Sequence, residues 1–194
     1  MRGPSVGGSS DYDLNPQIVG ALPKNRRLRA AAVLCGLTER DGAYHILLTR
    51  RAPALKHHAG QVAFPGGKVD AGDPSPLAAA LREAQEEIGL APEHVEVLGS
   101  IDGHETATGF AITPFVGIVA PGFRPVPETG EVAEVFEAPL DFLMDPSNHK
   151  RASRDWNGQK RYFYEMPWGQ HYIWGATARI LKGLSLRLMQ ADAV

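Results

Sequence analysis

Three carboxylates crowd into five residues: Glu83, Glu86 and Glu87, within Arg82-Glu83-Ala84-Gln85-Glu86-Glu87. On a helix, positions i, i+3 and i+4 share one face. Like charges at that spacing cost an isolated helix roughly 0.2–0.5 kcal/mol per pair, so something must offset the repulsion. Hard carboxylate oxygens suit a Mg²⁺ or Mn²⁺ ion and not a metal that prefers thiolate. Just upstream stand Gly66 and Gly67, where backbone can approach a metal or a phosphate with no Cβ in the way. A glutamate-rich helix face taken alone is solvated surface. With two loop glycines before it and Gly89 behind it, a metal site is the better reading.

These groups need a rigid carrier. Asp73-Pro74 has the composition of a helix start, with Asp as N-cap and Pro at the first position. The helix is expected to run to Ile88 and stop at Gly89. Leu77, Leu81, Ala84 and Ile88 fall at helical spacing as its buried stripe, which leaves the glutamates on a flank. Arg29–Leu37 and Tyr44–Thr49 read as strands joined by a turn. Gln61–Phe64, His94–Ile101, Ile112–Val119 and Glu134–Phe136 read as further strands. A short helix follows Pro139, Asn157-Gly158 signals a hairpin, and Ala176–Met189 reads as a closing helix. Mixed strands with two main helices predict an α+β fold, an α/β/α sandwich around a mixed sheet.

At 194 residues the chain is expected to form one main domain, residues 29–194, after a flexible N-terminal lead-in, residues 1–28, whose first part is rich in Gly, Ser and Pro. A net charge of −2 creates no field that would recruit nucleic acid. Any anionic ligand must therefore be held by local charge or by metal. The one cysteine, Cys35, sits in an apolar run and reads as a buried, inert thiol. The N-terminus lacks a secretory h-region and no stretch is long and apolar enough to span a bilayer, so the expectation is a cytoplasmic protein with no membrane partner. The oligomeric state stays open.

The stretch from Gly67 to Leu90 resembles the box of the Nudix hydrolase superfamily. Arg82-Glu83-Ala84-Gln85-Glu86-Glu87-Ile88-Gly89-Leu90 matches its second half fully. The first half departs: five residues separate Gly67 from Asp73, which stands in place of Glu, and eight residues, one more than usual, separate Asp73 from Arg82. Leu47-Leu48-Thr49-Arg50-Arg51, Leu55, His58, Gly60-Gln61-Val62 and Phe64-Pro65-Gly66-Gly67 resemble the signature of the coenzyme A pyrophosphatase branch, which carries this longer box. Ile112-Thr113-Pro114-Phe115, Glu134–Leu140 and Ile173–Thr177 extend the resemblance over most of the chain after residue 28.

That resemblance implies a Nudix-type sandwich and cleavage of coenzyme A, or a derivative, to 3′,5′-ADP and 4′-phosphopantetheine with Mg²⁺ or Mn²⁺ as cofactor. It implies metal ligation by Glu83, Glu86, Glu87 and the Gly66 carbonyl, with Glu86 and Glu87 central to catalysis. Arg82 would orient a box glutamate, and Arg51, His58, Phe64 and Gly67 would contact substrate. Arg50 and Arg51 alternate along a strand, so one of them faces the site, and the resemblance favours Arg51. The resemblance implies a general base that is a box glutamate or an acid on a later loop; Glu128, Glu131 and Glu134 stand there, and Glu131 is the expected one.

Other readings compete. The same box serves pyrophosphatases for ADP-ribose, NADH or dinucleoside polyphosphates, and a box can persist in a binding module without catalysis. All three glutamates and both loop glycines are present, which argues against decay. His57 and His58 are adjacent and cannot share a face as paired metal ligands. Lys150, Arg151, Arg154, Lys160 and Arg161 read as a solvated hairpin, with contact to a substrate phosphate as the minority reading. The tryptophans and Tyr162-Phe163-Tyr164 read as packing residues.

Overall fold

The computed structural model describes residues 8–19, 26–156 and 158–191. The expected lead-in at 1–7 and 20–25, and Asn157 of the hairpin signal, lie outside the described residues. In chain order the elements are β1 (Ser9–Ser10), α1 (Pro16–Val19), β2 (Arg29–Arg40), β3 (Ala43–Arg51), β4 (Val62–Ala63), β5 (Gly66–Lys68), α2 (Pro76–Ile88), β6 (Val95–Ser100), β7 (His104–Glu105), β8 (Phe110–Val119), β9 (Val132–Pro139), α3 (Leu140–Met144), β10 (Lys150–Trp156), β11 (Gln159–Trp168), β12 (His171–Trp174) and α4 (Gly175–Ala191).

The large sheet is mixed. Its main path is β1-β7-β8-β2-β3-β4, with β5 on β2, β6 on β8 and β9 on β3. β2 runs parallel to β8 and antiparallel to β3 and β5. Neighbouring residues of β3 serve opposite faces. Leu47 packs with Leu34, Ala84 and Ile88, and so under α2. Ile46 and Leu48 pack with Leu143, Ala178, Leu181 and Leu184, and so under α3 and α4. This is the expected α/β/α sandwich, and strand alternation produces it. A smaller antiparallel sheet, β10-β11-β12, leads into α4.

Two expectations about α2 are corrected. Its N-cap is Ser75, whose Oγ accepts from Ala78 N at 3.1 Å, and Pro76 holds the first position. Two adjacent acceptor–proline pairs compete for the start, and Asp73 is engaged elsewhere. The buried face is Ala79, Ala80, Ala84, Glu87 and Ile88, while Leu77 and Leu81 are only partly covered. Glu87 therefore lies against the sheet and not on a solvated flank. Four short strands escaped the sequence pattern: the two-residue β1 and β7, β5, whose Gly-Gly has turn composition, and the four-residue β12.

Part of the expected lead-in is docked. Ser9 and Ser10 pair in parallel with β7. The buried His104 joins Ser9 Oγ at Nδ1 (2.9 Å) to Asp11 Oδ1 at Nε2 (3.0 Å). Arg26 pairs with Glu105 and Tyr12. Although Ser, His and Asp line up here, none of the three reaches the cavity described next; they clip the segment to the sheet.

Candidate active site

β5 and α2 are built against each other. Adding a Cβ to Gly66 would place it 2.4 Å from the Ala32 carbonyl oxygen, because β5 lies in register on β2. At Gly67 a Cβ would fall 2.5 Å from the Glu83 carboxyl. Only glycine at both positions lets the sheet edge meet the helix this closely. The result is an open cavity of about 350 Å³ walled by Arg51, Gly66, Gly67, Lys68, Asp70, Glu83, Glu87 and Glu131.

Glu87 sits deepest, its side chain 5% exposed. One oxygen accepts from Gly66 N–H at 3.1 Å, and the other stands 3.8 Å from Arg51 Nη1. Burial raises its pKa to about 7 against the help of Gly66 and Arg51, and the charges of Glu83 and Glu131 push the same way as burial. Glu83 is also raised, by burial first, with the neighbouring Arg82 opposing. Partly desolvated carboxylates facing each other across a small volume call for a cation.

Arg82 organises the helix start. Its Nε and Nη2 grip Asp73 at 3.0 and 3.1 Å, while Nη1 reaches Glu83 at 3.1 Å and Glu86 at 2.9 Å. These partners raise the guanidinium pKa, and Arg82 with the Asp70 N–H holds Asp73 below the usual carboxylate range. The Asp that departs from the usual box is thus the fork that aims Arg82.

Glu131 arrives from the far side. The segment before β9 is laced to the end of α2: Val126 N–H donates to the Ile88 carbonyl and Glu128 N–H to that of Glu87, both at 2.9 Å. Ala52 N–H donates to the Glu131 carbonyl at 2.8 Å, which ties the acid to the end of β3 beside Arg51. β3 and β9 shift register between Arg50 and Arg51. Arg50 turns away to pair with Glu134 at 2.9 Å, while Arg51 faces the cavity. The Nε of Arg51 is buried and has no hydrogen-bond partner.

Of the sequence-based site residues, Glu83, Glu87, Gly66, Gly67, Arg51 and Glu131 come together in the cavity wall. Glu86 is exposed on the adjoining turn and held by Arg82. Phe64 lies elsewhere: it is 3% exposed and packs in the core with Val62 and Phe136. His58 is on an exposed loop, with φ +57 and Nδ1 2.9 Å from Gln61 Oε1, and does not line the cavity. Lys68 and Asp70 were not foreseen as wall residues. Their adjacency to Gly66-Gly67 was the available signal.

Among the described residues, no three His, Cys, Asp or Glu side chains already converge in metal-holding geometry, and Glu86 is turned to Arg82. The donor set nevertheless fits a hard divalent cation. It is all oxygen, two of its carboxylates are raised by burial, and the Gly67 cradle holds Glu83 where a bulkier residue would displace it.

A NUDIX domain model matches residues 27–163. A Nudix hydrolase NudL of Citrobacter koseri, itself described as uncharacterized, is 42% identical over 176 residues, covering 90% of this chain and 89% of that one. Its counterpart from Klebsiella pneumoniae strain 342 is 43% identical over 175 residues, covering 89% and 90%. Among solved structures, the Nudix hydrolase RenU of M. smegmatis aligns over 58% of this chain and 71% of its own, at TM-score 0.50 and 30% identity. A MutT/nudix family protein from Enterococcus faecalis aligns over 90% of this chain and 70% of its own, at TM-score 0.54 and 16% identity, and shows likeness of fold alone. The chain belongs to the NUDIX family. The chemistry that goes with this fold and box is hydrolysis of a pyrophosphate in a nucleotide-derived substrate.

Proposed function

We propose that this protein hydrolyses the pyrophosphate of coenzyme A or its derivatives to 3′,5′-ADP and 4′-phosphopantetheine. The observation that carries the pyrophosphate reading is the pairing of Arg51, with its buried unpartnered Nε, and the desolvated carboxylates Glu83 and Glu87 on one cavity wall. A phosphate is the group that satisfies the guanidinium, and a cation is the group that satisfies the carboxylates. Support for coenzyme A comes from the Leu47–Gly67 signature, which supplies β3, β4, β5 and the connecting loop, and with them Arg51, Gly66 and Gly67.

Glu83, Glu86, Glu87 and the Gly66 carbonyl would hold Mg²⁺ or Mn²⁺, which neutralises phosphate charge and acidifies a bound water. Arg82 keeps Glu83 and Glu86 aimed, and the Gly66 N–H fixes one oxygen of Glu87. Arg51 binds and orients a phosphate of the substrate. Glu131 accepts the proton of the attacking water as the new P–O bond forms and the bridging P–O bond breaks, so that the leaving phosphate carries away the electron pair.

The test is product analysis after incubation with Mg²⁺ or Mn²⁺ and, separately, coenzyme A, ADP-ribose, NADH and a dinucleoside polyphosphate. The expected result is 3′,5′-ADP and 4′-phosphopantetheine from coenzyme A alone. Cleavage of only another substrate would keep the metal chemistry and discard coenzyme A. No turnover on any of them would favour a binding module.

A further inference from the structure

β10 is an outer strand of the small sheet, and six of its seven residues, all but Ala152, are exposed. Its backbone orientation follows from its neighbour. Asn15 clamps Tyr162 of β11, donating from Nδ2 to the Tyr162 carbonyl and accepting its N–H at Oδ1, both at 2.8 Å. In an antiparallel ladder a residue's N–H and C=O point to the same side, so those of Tyr162 point away from β10. Its register partner Ser153 then points its own N–H and C=O outward, and by the period of two so do Arg151 and Asp155. Among the described residues nothing pairs with them. A strand edge of this length is a template for another strand.

The side chains say which strand. Turn β10 about a two-fold axis through Ser153 and lay it antiparallel on itself. Ser153 meets Ser153, and Arg151 meets Asp155 of the second copy, twice by symmetry. On the other face Lys150 meets Trp156 and Ala152 meets Arg154. Every charge of the strand finds an opposite charge, an aromatic ring or a small neighbour. Trp156, 60% exposed and otherwise approached by Arg161, is covered by the Lys150 stem. No one-step slip keeps both Arg–Asp pairs, so the register is specified.

We propose that the partner of the β10 edge is a second copy of this chain, joined through antiparallel β10–β10 pairing centred on Ser153. Each of the pairs Arg151–Asp155, Ser153–Ser153 and Asp155–Arg151 contributes two backbone hydrogen bonds across the axis. Strand pairing alone buries less surface than a standard permanent interface, so a concentration-dependent monomer–dimer equilibrium is expected.

Sedimentation of the full chain over micromolar to near-millimolar concentrations tests this. The wild type is expected to pass from monomer to dimer. Asp155→Arg places Arg opposite Arg at both symmetric positions and should weaken association by about tenfold or more. The double change Arg151→Asp with Asp155→Arg recreates both pairs in reverse and should restore the dimer. Ser153→Pro removes an outward N–H that β11 does not use and should give a monomer. Should that variant fold poorly, the charge reversal and its rescue decide alone. A wild type monomeric throughout, or a dimer indifferent to Asp155→Arg, would overturn the proposal. So would a monomer whose Arg151, Ser153 and Asp155 amides are protected from hydrogen exchange, which would assign the edge to a different occupant.

Discussion

The cavity beside α2 and the β10–β11 arm use the same residue types to opposite ends. In the cavity, Arg51 and Glu87 stand 3.8 Å apart, the glutamate side chain is 5% exposed, and burial lifts its pKa to about 7. In the arm of a single subunit, Arg154 lies over the rings of Tyr172 and Trp174 and Arg161 over Trp156, and six of the seven β10 residues are exposed. Charge by itself does not mark a site. Desolvation makes a carboxylate want a cation and a guanidinium want an anion, while solvent screens the same groups on an exposed strand.

The largest effect should come from removing the deepest charge. Glu87→Gln keeps the shape and an acceptor for the Gly66 N–H but removes the negative charge. Turnover should fall on the order of 10²–10³-fold or more, while circular dichroism shows an intact fold. Full activity in this variant would erase the contrast between buried and exposed glutamates on which the site assignment rests.

Stability offers a second break. In metal-free protein Glu87 holds its proton up to about pH 7, against an ordinary value of 4.5 that the unfolded chain retains. The native state therefore binds more protons between those values. This contribution is fully present below about 4.5 and lost as pH rises through about 7, worth up to about 3 kcal/mol. Melting in chelator should show Tm falling between pH 5 and pH 8, a flatter profile for Glu87→Gln, and recovery at pH 8 on adding Mg²⁺ or Mn²⁺. An apo Tm that climbs over that range would contradict the burial of Glu87.

How far the contrast could be read from sequence differs between the regions. The helix, its stop at Gly89, the β2–β3 hairpin and the alternation that separates Arg50 from Arg51 are local patterns, and they were legible. So were the box glutamates and Gly66-Gly67. The depth of Glu87 was not. On a helical wheel it borders the stripe, and only the docking of β5 against α2 turns a border position into a buried one. Asp73 misled in the other direction. Its type fits an N-cap, but Arg82 nine residues on draws it into a fork, and Ser75 takes the cap. Phe64 shows the limit of motif reading: adjacency to Pro65-Gly66 in sequence puts it in the core in space. Glu131 became more than one of three acids through the backbone bond from Ala52, a long-range contact no local pattern encodes.

Two smaller changes sharpen the cavity side. Arg51→Ala should lower kcat/KM about 10–100-fold, the value of charge-assisted bonds to phosphate. Arg50→Ala, beside it but paired with Glu134 on the other face, should affect turnover far less. Gly67→Ala pushes on the Glu83 carboxyl and should weaken metal affinity about 10–100-fold, read by calorimetry without substrate. Equal effects of Arg50→Ala and Arg51→Ala would mean that the register shift at the end of β3 does not sort the two arginines.

The smallest effect should lie in the arm. Arg154→Ala with Arg161→Ala removes two cations that rest on the rings of Trp174, Tyr172 and Trp156, and contacts of that kind are worth about 0.5–1 kcal/mol each. Stability should drop by about 1–2 kcal/mol for the two together, and turnover of coenzyme A should change by less than about threefold, because neither arginine lines the cavity. The measurement that matters is the ratio of rates on coenzyme A and dephospho-coenzyme A, since the two differ only in the 3′-phosphate. An unchanged ratio leaves the arm outside the substrate contact and the contrast with the cavity intact. A fall confined to coenzyme A would make Arg154 and Arg161 anion ligands, and an exposed basic strand would then act on substrate without the desolvation that defines the site beside α2.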